Sequence, residues 1–109
     1  MSAEVLIALC TCPDPIVGER IANALVSEGL AACVNSLPGI TSVYLWKGEA
    51  QRDSEVLLMI KTTRLRLPEL TNRVRQLHPY ELPEVIAVPV SGGLPDYLQW
   101  VITCTSPDT

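Results

Sequence analysis

The stretch Cys33-Val34-Asn35-Ser36-Leu37-Pro38-Gly39-Ile40-Thr41-Ser42-Val43-Tyr44-Leu45-Trp46, followed by Lys47-Gly48-Glu49 and then Val56-Leu57-Leu58-Met59-Ile60, decides the fold. From Ala31 to Thr62 the chain has no helical period and is rich in residues that suit strands, so it predicts a hairpin turning at Lys47-Gly48-Glu49. Leu37-Pro38-Gly39-Ile40 admits two readings: a second turn that cuts the first arm into short strands, or a bulge within one long arm. The readings differ in scale. An unbroken arm from Cys33 to Trp46 spans roughly 45 Å at about 3.3 Å per residue, whereas a domain of this size has a radius of gyration of about 13 Å. Such an arm projects past its own core, and its Tyr44, Leu45 and Trp46 then need cover from another subunit.

Before the hairpin, Val5-Leu6-Ile7-Ala8-Leu9-Cys10 is a continuous apolar run and reads as a central strand. Asp14-Pro15 opens a helix: the aspartate caps the first turn, the proline suits the first helical position, and Val17, Ile21, Ala22 and Leu25 share a face. Gly29 ends it as a left-handed cap. After the hairpin, Leu67, Leu70, Val74 and Leu77 recur at helical spacing behind Pro68 and Glu69. A fourth strand ends near Val90, Ser91-Gly92-Gly93 turns the chain, and Pro95-Asp96 opens a last helix with Leu98, Val101 and Ile102 inward. Residues Thr105 to Thr109 read as a disordered tail. The order strand, helix, strand, strand, helix, strand, helix predicts an α+β, ferredoxin-like sandwich with a long central hairpin and an extra C-terminal helix, in a single domain over residues 1–109.

Composition narrows the function. A chain of 109 residues with 48% hydrophobic and 18% charged residues is too apolar for disorder, and no uncharged apolar run approaches the ~20 residues that span a bilayer. A net charge of −4 argues against nucleic acid as a partner. Arg64, Arg66, Arg73 and Arg75 cluster locally, but the last two close a helix, where cations suit its dipole. Met1-Ser2-Ala3-Glu4 offers an acidic residue where a signal peptide has basic ones, so no export is indicated and a cytoplasmic location with reduced thiols is expected for the cysteines at 10, 12, 33 and 104. No Cys-x-x-Cys pair supports a redox dithiol or zinc knuckle. Cys10, Thr11 and Cys12 fall between a strand end and a helix N-terminus, where a thiolate is electrostatically favoured, although buried, inert cysteine is the commoner state.

Candidate chemistry gathers in His78-Pro79-Tyr80-Glu81-Leu82-Pro83-Glu84, which places the single histidine, a phenol and two carboxylates around two prolines. Each proline holds the residue before it extended, so the preceding helix stops at Leu77 and the segment is a stiff loop. A lone histidine in such a loop is more often solvated or capping than a ligand.

Taken together, Cys10-Thr11 before Pro13-Asp14, Ala31-Ala32-Cys33-Val34-Asn35, Pro38-Gly39-Ile40, Tyr44 and Trp46 before Gly48, Glu55, Lys61-Thr62, the loop from His78 to Glu84, and Tyr97-Leu98 with Trp100 resemble the CutA divalent-cation-tolerance family. The resemblance covers Val5 to Trp100. It implies a compact homotrimer of ferredoxin-like subunits in which strands of neighbours pair, and it favours the long-arm hairpin. It also implies tolerance of copper and other divalent metals, with copper held through the cysteine at Cys10 and the histidine at His78. Certain bacterial members carry two consecutive histidines here; this chain has Leu77 before His78 and lacks one ligand.

The binding reading takes Cys10 and His78 as metal ligands, since thiolate and imidazole suit copper or zinc. It takes Lys61, Tyr80, Glu81 and Glu84 as a ligand pocket at a subunit boundary. In a ferredoxin-like sheet the strand end at Cys10 and the loop at His78 need not meet within one subunit. A scaffold that binds a protein partner is the alternative, matching the membrane-enzyme anchoring associated with animal members. An enzyme, with His78 and Glu81 as base and orienting carboxylate and Cys10 or Cys12 as nucleophile, is disfavoured because no nucleophile elbow, phosphate loop or metal-hydrolase motif is present.

Overall fold

The structure is a computed structural model that describes residues 4–107. Its elements are β1 (Val5–Cys12), α1 (Pro15–Ser27), β2 (Cys33–Trp46), β3 (Glu49–Thr63), α2 (Leu67–Leu77), β4 (Ile86–Pro89) and α3 (Pro95–Cys104). The strands form one four-stranded antiparallel sheet in the order β2-β3-β1-β4. The element order expected from the sequence holds throughout.

Local chemistry explains the boundaries. The Asp14 carboxylate accepts from the Val17 amide at 2.8 Å, capping α1 ahead of Pro15. Gly29 closes that helix at φ 72°, in the region only glycine enters cheaply. Before Pro79, His78 is extended at φ −84° and ψ 135°, which ends α2 where the proline requires.

The hairpin is one continuous pair of strands. Trp46 faces Glu49 across the two residues Lys47 and Gly48, whose φ values of 53° and 83° match the twist of the flanking strands. Leu37-Pro38-Gly39-Ile40 is a bulge rather than a turn: the register shifts between Leu37 and Ile40, with Gly39 at φ 78°. The arm stretches the subunit to 45 × 26 × 22 Å, with a radius of gyration of 14.5 Å.

Strand alternation divides the sheet faces. Ala8, Cys10 and Cys12 of β1 and Val56, Leu58 and Ile60 of β3 point into a core shared with Ile21 and Leu25 of α1 and Leu70 and Val74 of α2. Each fully buried Leu or Ile there contributes about 1.5–3 kcal/mol by leaving water. A Cβ on Gly18 would stand 3.5 Å from Leu58 and 3.6 Å from Val56, so α1 lies close on the sheet at its first turns. A smaller cluster of Val5, Ala32 and Val101 seats α3 at the other end of β1.

One boundary is corrected. Thr105, expected to begin a disordered tail, is buried: its hydroxyl reaches the Val101 carbonyl at 2.9 Å and its own carbonyl accepts from Arg66 Nε at 2.9 Å. The tail reading overlooked that a hydroxyl can fold back on the preceding helical turn. Asp108 and Thr109 lie outside the described residues.

Candidate functional site: a thiol and imidazole cluster behind an acidic cleft

The site forms where β1 ends. Cys10 and Cys12, two residues apart on a strand, share its helix-facing side. The end of α2 delivers His78 against them, with Nε2 2.7 Å from the carbonyl of Thr11, 67 residues away in sequence. Because a carbonyl only accepts, Nε2 carries the hydrogen. The Tyr80 amide then donates to Nδ1 at 3.1 Å, so both contacts select one neutral tautomer. Ligand atoms of Cys10, Cys12 and His78 all lie within 4.8 Å of one another, and all three residues are buried. Strand end and loop, which need not meet in a ferredoxin-like sheet, do meet within one subunit, because His78 at the end of α2 lies against the end of β1. His78 is indeed the cap residue of α2, yet it is not solvated.

Cys10 is the buried cysteine given above as the commoner state, not the thiolate that a helix N-terminus favours. The Cys10 thiol interacts with Cys12, and that bond, with burial and the neighbouring charges of Cys12, Glu84 and Glu55, pushes Cys10 up and keeps it protonated. The same bond lowers Cys12, against burial and the charges of Glu55 and Asp14. At Cys10 the bond to Cys12, with burial added, outweighs proximity to a helix N-terminus.

From this cluster the loop leads outward. The His78 and Tyr80 rings sit 4.6 Å apart at 55°, and the Tyr80 hydroxyl donates to Glu55 Oε2 at 2.7 Å. Glu55 is only 6% exposed, and burial together with this bond raises the Tyr80 phenol, keeping it a donor. Tyr80, Glu81, Glu84, Glu55, Asp53 and Thr11 line an open cleft of about 680 Å³ that continues onto Tyr44, Leu45 and Trp46 of the arm. Tyr44 donates to Asp53 there.

Of the residues singled out from sequence, the structure brings Cys10 to His78, and Tyr80, Glu81 and Glu84 to the cleft. It does not bring Lys61 there. Lys61 pairs with Ile7 and Cys33, about 20 Å along β3 from Glu55 at ~3.3 Å per residue. Sequence reading missed Cys12 as a neighbour of His78 and Glu55 as the carboxylate that anchors Tyr80. Strand alternation was the available signal for the first; for the second, Glu55 stood among the motif residues but nothing local tied it to Tyr80, since the two meet across the fold. Three of the four clustered arginines are occupied structurally: Arg64 with Glu4 at 2.6 Å, Arg66 with Glu69 at 2.7 Å, and Arg73 with Glu28 at 2.9 Å. Among the described residues no helix is long and apolar enough to cross a membrane.

These features define a class of small α+β protein whose central strand ends in a buried thiol and imidazole cluster beside an acidic cleft. The chain belongs to the CutA1 divalent ion tolerance protein family, which it matches over residues 6–104. It is 56% identical over 98 residues to Protein CutA of Mus musculus, covering 90% of this chain and 55% of the mouse protein, so it spans about half of that relative. Against the Divalent-cation tolerance protein CutA of Thermus thermophilus it is 50% identical over 95 residues, covering 87% of this chain and 92% of that protein. The crystal structure of CutA1 from Oryza sativa superposes with a TM-score of 0.94 at 44% identity, over 97% of each chain.

Proposed function

We propose that this protein serves metal tolerance as a cytoplasmic homotrimer that takes up a metal ion, copper or similar, through Cys10 and His78, with the cleft of Tyr80, Glu81 and Glu84 admitting the ion or a small ligand. The observation that carries the reading is the meeting of a thiol and an imidazole within 4.8 Å inside one subunit, next to clustered carboxylates. Thiol and imidazole donors suit copper and zinc, and a reducing compartment keeps the thiols free. The order β2-β3-β1-β4 with crossing helices supports the ferredoxin-like reading. Self-association is supported by exposed Val43 and Leu45 on the arm, and by Ile86 and Val88 on the sheet edge, all of which a neighbour would remove from water. Lys61 enters this site only from a neighbouring subunit. The same exposed surfaces favour a second reading, a scaffold that binds a protein partner.

Calorimetric titration with copper tests the primary reading. Cys10→Ser and His78→Ala should each lose most of the affinity, and unchanged binding in both removes these residues from the site. His78→Ala should also cost about 1–3 kcal/mol of stability, because it strips the Thr11 carbonyl and the Tyr80 amide of a buried partner. Light scattering at micromolar concentration checks assembly; a monomeric mass is incompatible with the trimer.

A further inference from the structure

We infer that Cys12 is a third metal ligand and that Cys10, Cys12 and His78 form a buried site for monovalent copper. This rests on the reading above that Cys10 and His78 bind metal, and it extends that reading in both ligand set and ion.

The geometry assigns the third donor. Cys12 is fully buried, its ligand atom lies within 4.8 Å of both other donors, and among the described residues this is the cluster of that kind. The pairing Cys10↔Leu58 and Cys12↔Val56 holds both thiols on one face of β1, which at these residues is bonded to β3, its pairing with β4 ending at Leu9. Their spacing is therefore set by the rigid sheet rather than by a loop. The other two cysteines, Cys33 and Cys104, are only partly buried and have no imidazole beside them.

The donor set selects the ion. Two sulfurs and one nitrogen are soft donors, which favour monovalent copper, whereas divalent copper prefers nitrogen and oxygen in a tetragonal arrangement. Zinc in closed protein sites takes four ligands, and this cluster offers three. Harder divalent ions are better served by the carboxylates Glu81 and Glu84 of the cleft, which are exposed. No buried side-chain nitrogen or oxygen among the described residues lacks a partner, so the metal-free fold is satisfied and copper must displace existing hydrogen bonds. Ligation through His78 Nδ1 displaces only the Tyr80 amide and keeps Nε2–H on the Thr11 carbonyl, an outer contact of the kind that orients ligating histidines. Both thiols release their protons to solvent, and no electron is exchanged.

The test uses the full chain carrying Cys33→Ser and Cys104→Ser, titrated without oxygen with copper(I) supplied as its acetonitrile complex against the chelator bicinchoninate. One copper per chain is expected, with an X-ray absorption spectrum that counts two sulfurs and one nitrogen, and with zinc bound more weakly. Cys12→Ala should weaken copper(I) by more than the roughly 10–100-fold that loss of an outer-shell partner costs. If Cys12→Ala binds like its parent while Cys10→Ala and His78→Ala fail, the third-ligand inference is overturned and the two-residue reading survives. If all three bind like the parent, both fall. The sulfur count on the parent protein needs no Cys12 variant, so a count of one overturns the inference even where that variant misfolds; tighter binding of zinc than of copper(I) overturns the choice of ion.

Discussion

The two halves of the hairpin share the same strands and differ in what holds them. In the inner half, β3 from Val56 to Thr63 is bonded to β1 on one side, while β2 pairs with it on the other, and Val56, Leu58 and Ile60 are buried under helices. In the outer half, beyond the bulge at Leu37 to Ile40, Ile40–Trp46 pairs only with 49–55, and Val43 and Leu45 are 66% and 73% exposed. An isolated two-stranded ribbon is marginal in water. Regular backbone pairing alone therefore does not indicate a stable region; the outer ribbon leaves apolar side chains in water, while the inner half is a core. The cleft lies at their junction, lined by Glu55 just beyond the last β1–β3 pair, Cys12↔Val56, and by Thr11 just within it.

The sharpest way to break this comparison is to truncate one leucine in each half. Leu58→Ala should cost about 2–5 kcal/mol in urea unfolding, since it opens a cavity under α1. Leu45→Ala should change the stability of the dissociated chain by no more than about 0.5 kcal/mol, yet weaken assembly measurably by sedimentation. Equal losses in the dissociated chain would mean that the arm folds against its own subunit. The next effect is smaller and sits at the boundary: Gly39→Ala should cost about 1–2 kcal/mol, because Gly39 is at φ 78°, whereas Gly92→Ala, which meets nothing within 4 Å and has no left-handed φ, should be close to neutral. A neutral Gly39→Ala would show that the bulge relaxes without the left-handed residue.

The smallest expected effect separates the two tyrosines by pH. Burial and the bond to Glu55 raise the Tyr80 phenol above its ordinary value of about 10. A raised value means that the fold holds the proton more tightly than the unfolded chain does. That contribution is complete below pH about 10 and is lost as pH rises further. Tyr80→Phe should therefore flatten the alkaline fall in the urea midpoint. Tyr44 is also raised, by its bond to Asp53, but at the exposed arm the attraction is screened by water, and Tyr44→Phe should leave the alkaline slope nearly unchanged. Identical slopes in the two variants would erase the distinction between junction and arm.

Much of this architecture was written in local signals. Asp14-Pro15 and Gly29 bounded α1, Lys47-Gly48 placed the hairpin turn, Pro79 ended α2 at His78, and the 3.6- and two-residue periods marked the faces of helices and strands. Each of these effects acts over a few bonds, so neighbours in the chain suffice to read it. Together with the ordered motifs shared with CutA proteins, they determined the element order and the α+β class, and they pointed to Cys10 and the loop from His78 to Glu84 as candidates. Tertiary structure alone decided the rest. Whether Leu37-Pro38-Gly39-Ile40 turned or bulged depended on the partner register of β3, and the burial of Thr105 depended on Arg66 and Thr63 across the fold. The approach of His78 to the Thr11 carbonyl between two thiols, and of Tyr80 to Glu55, joins residues 67 and 25 positions apart, while Lys61 falls at the other end of β3. Contacts of that range follow from how helix ends pack on a sheet, which is fixed by the burial of apolar faces as a whole and by no single stretch of chain.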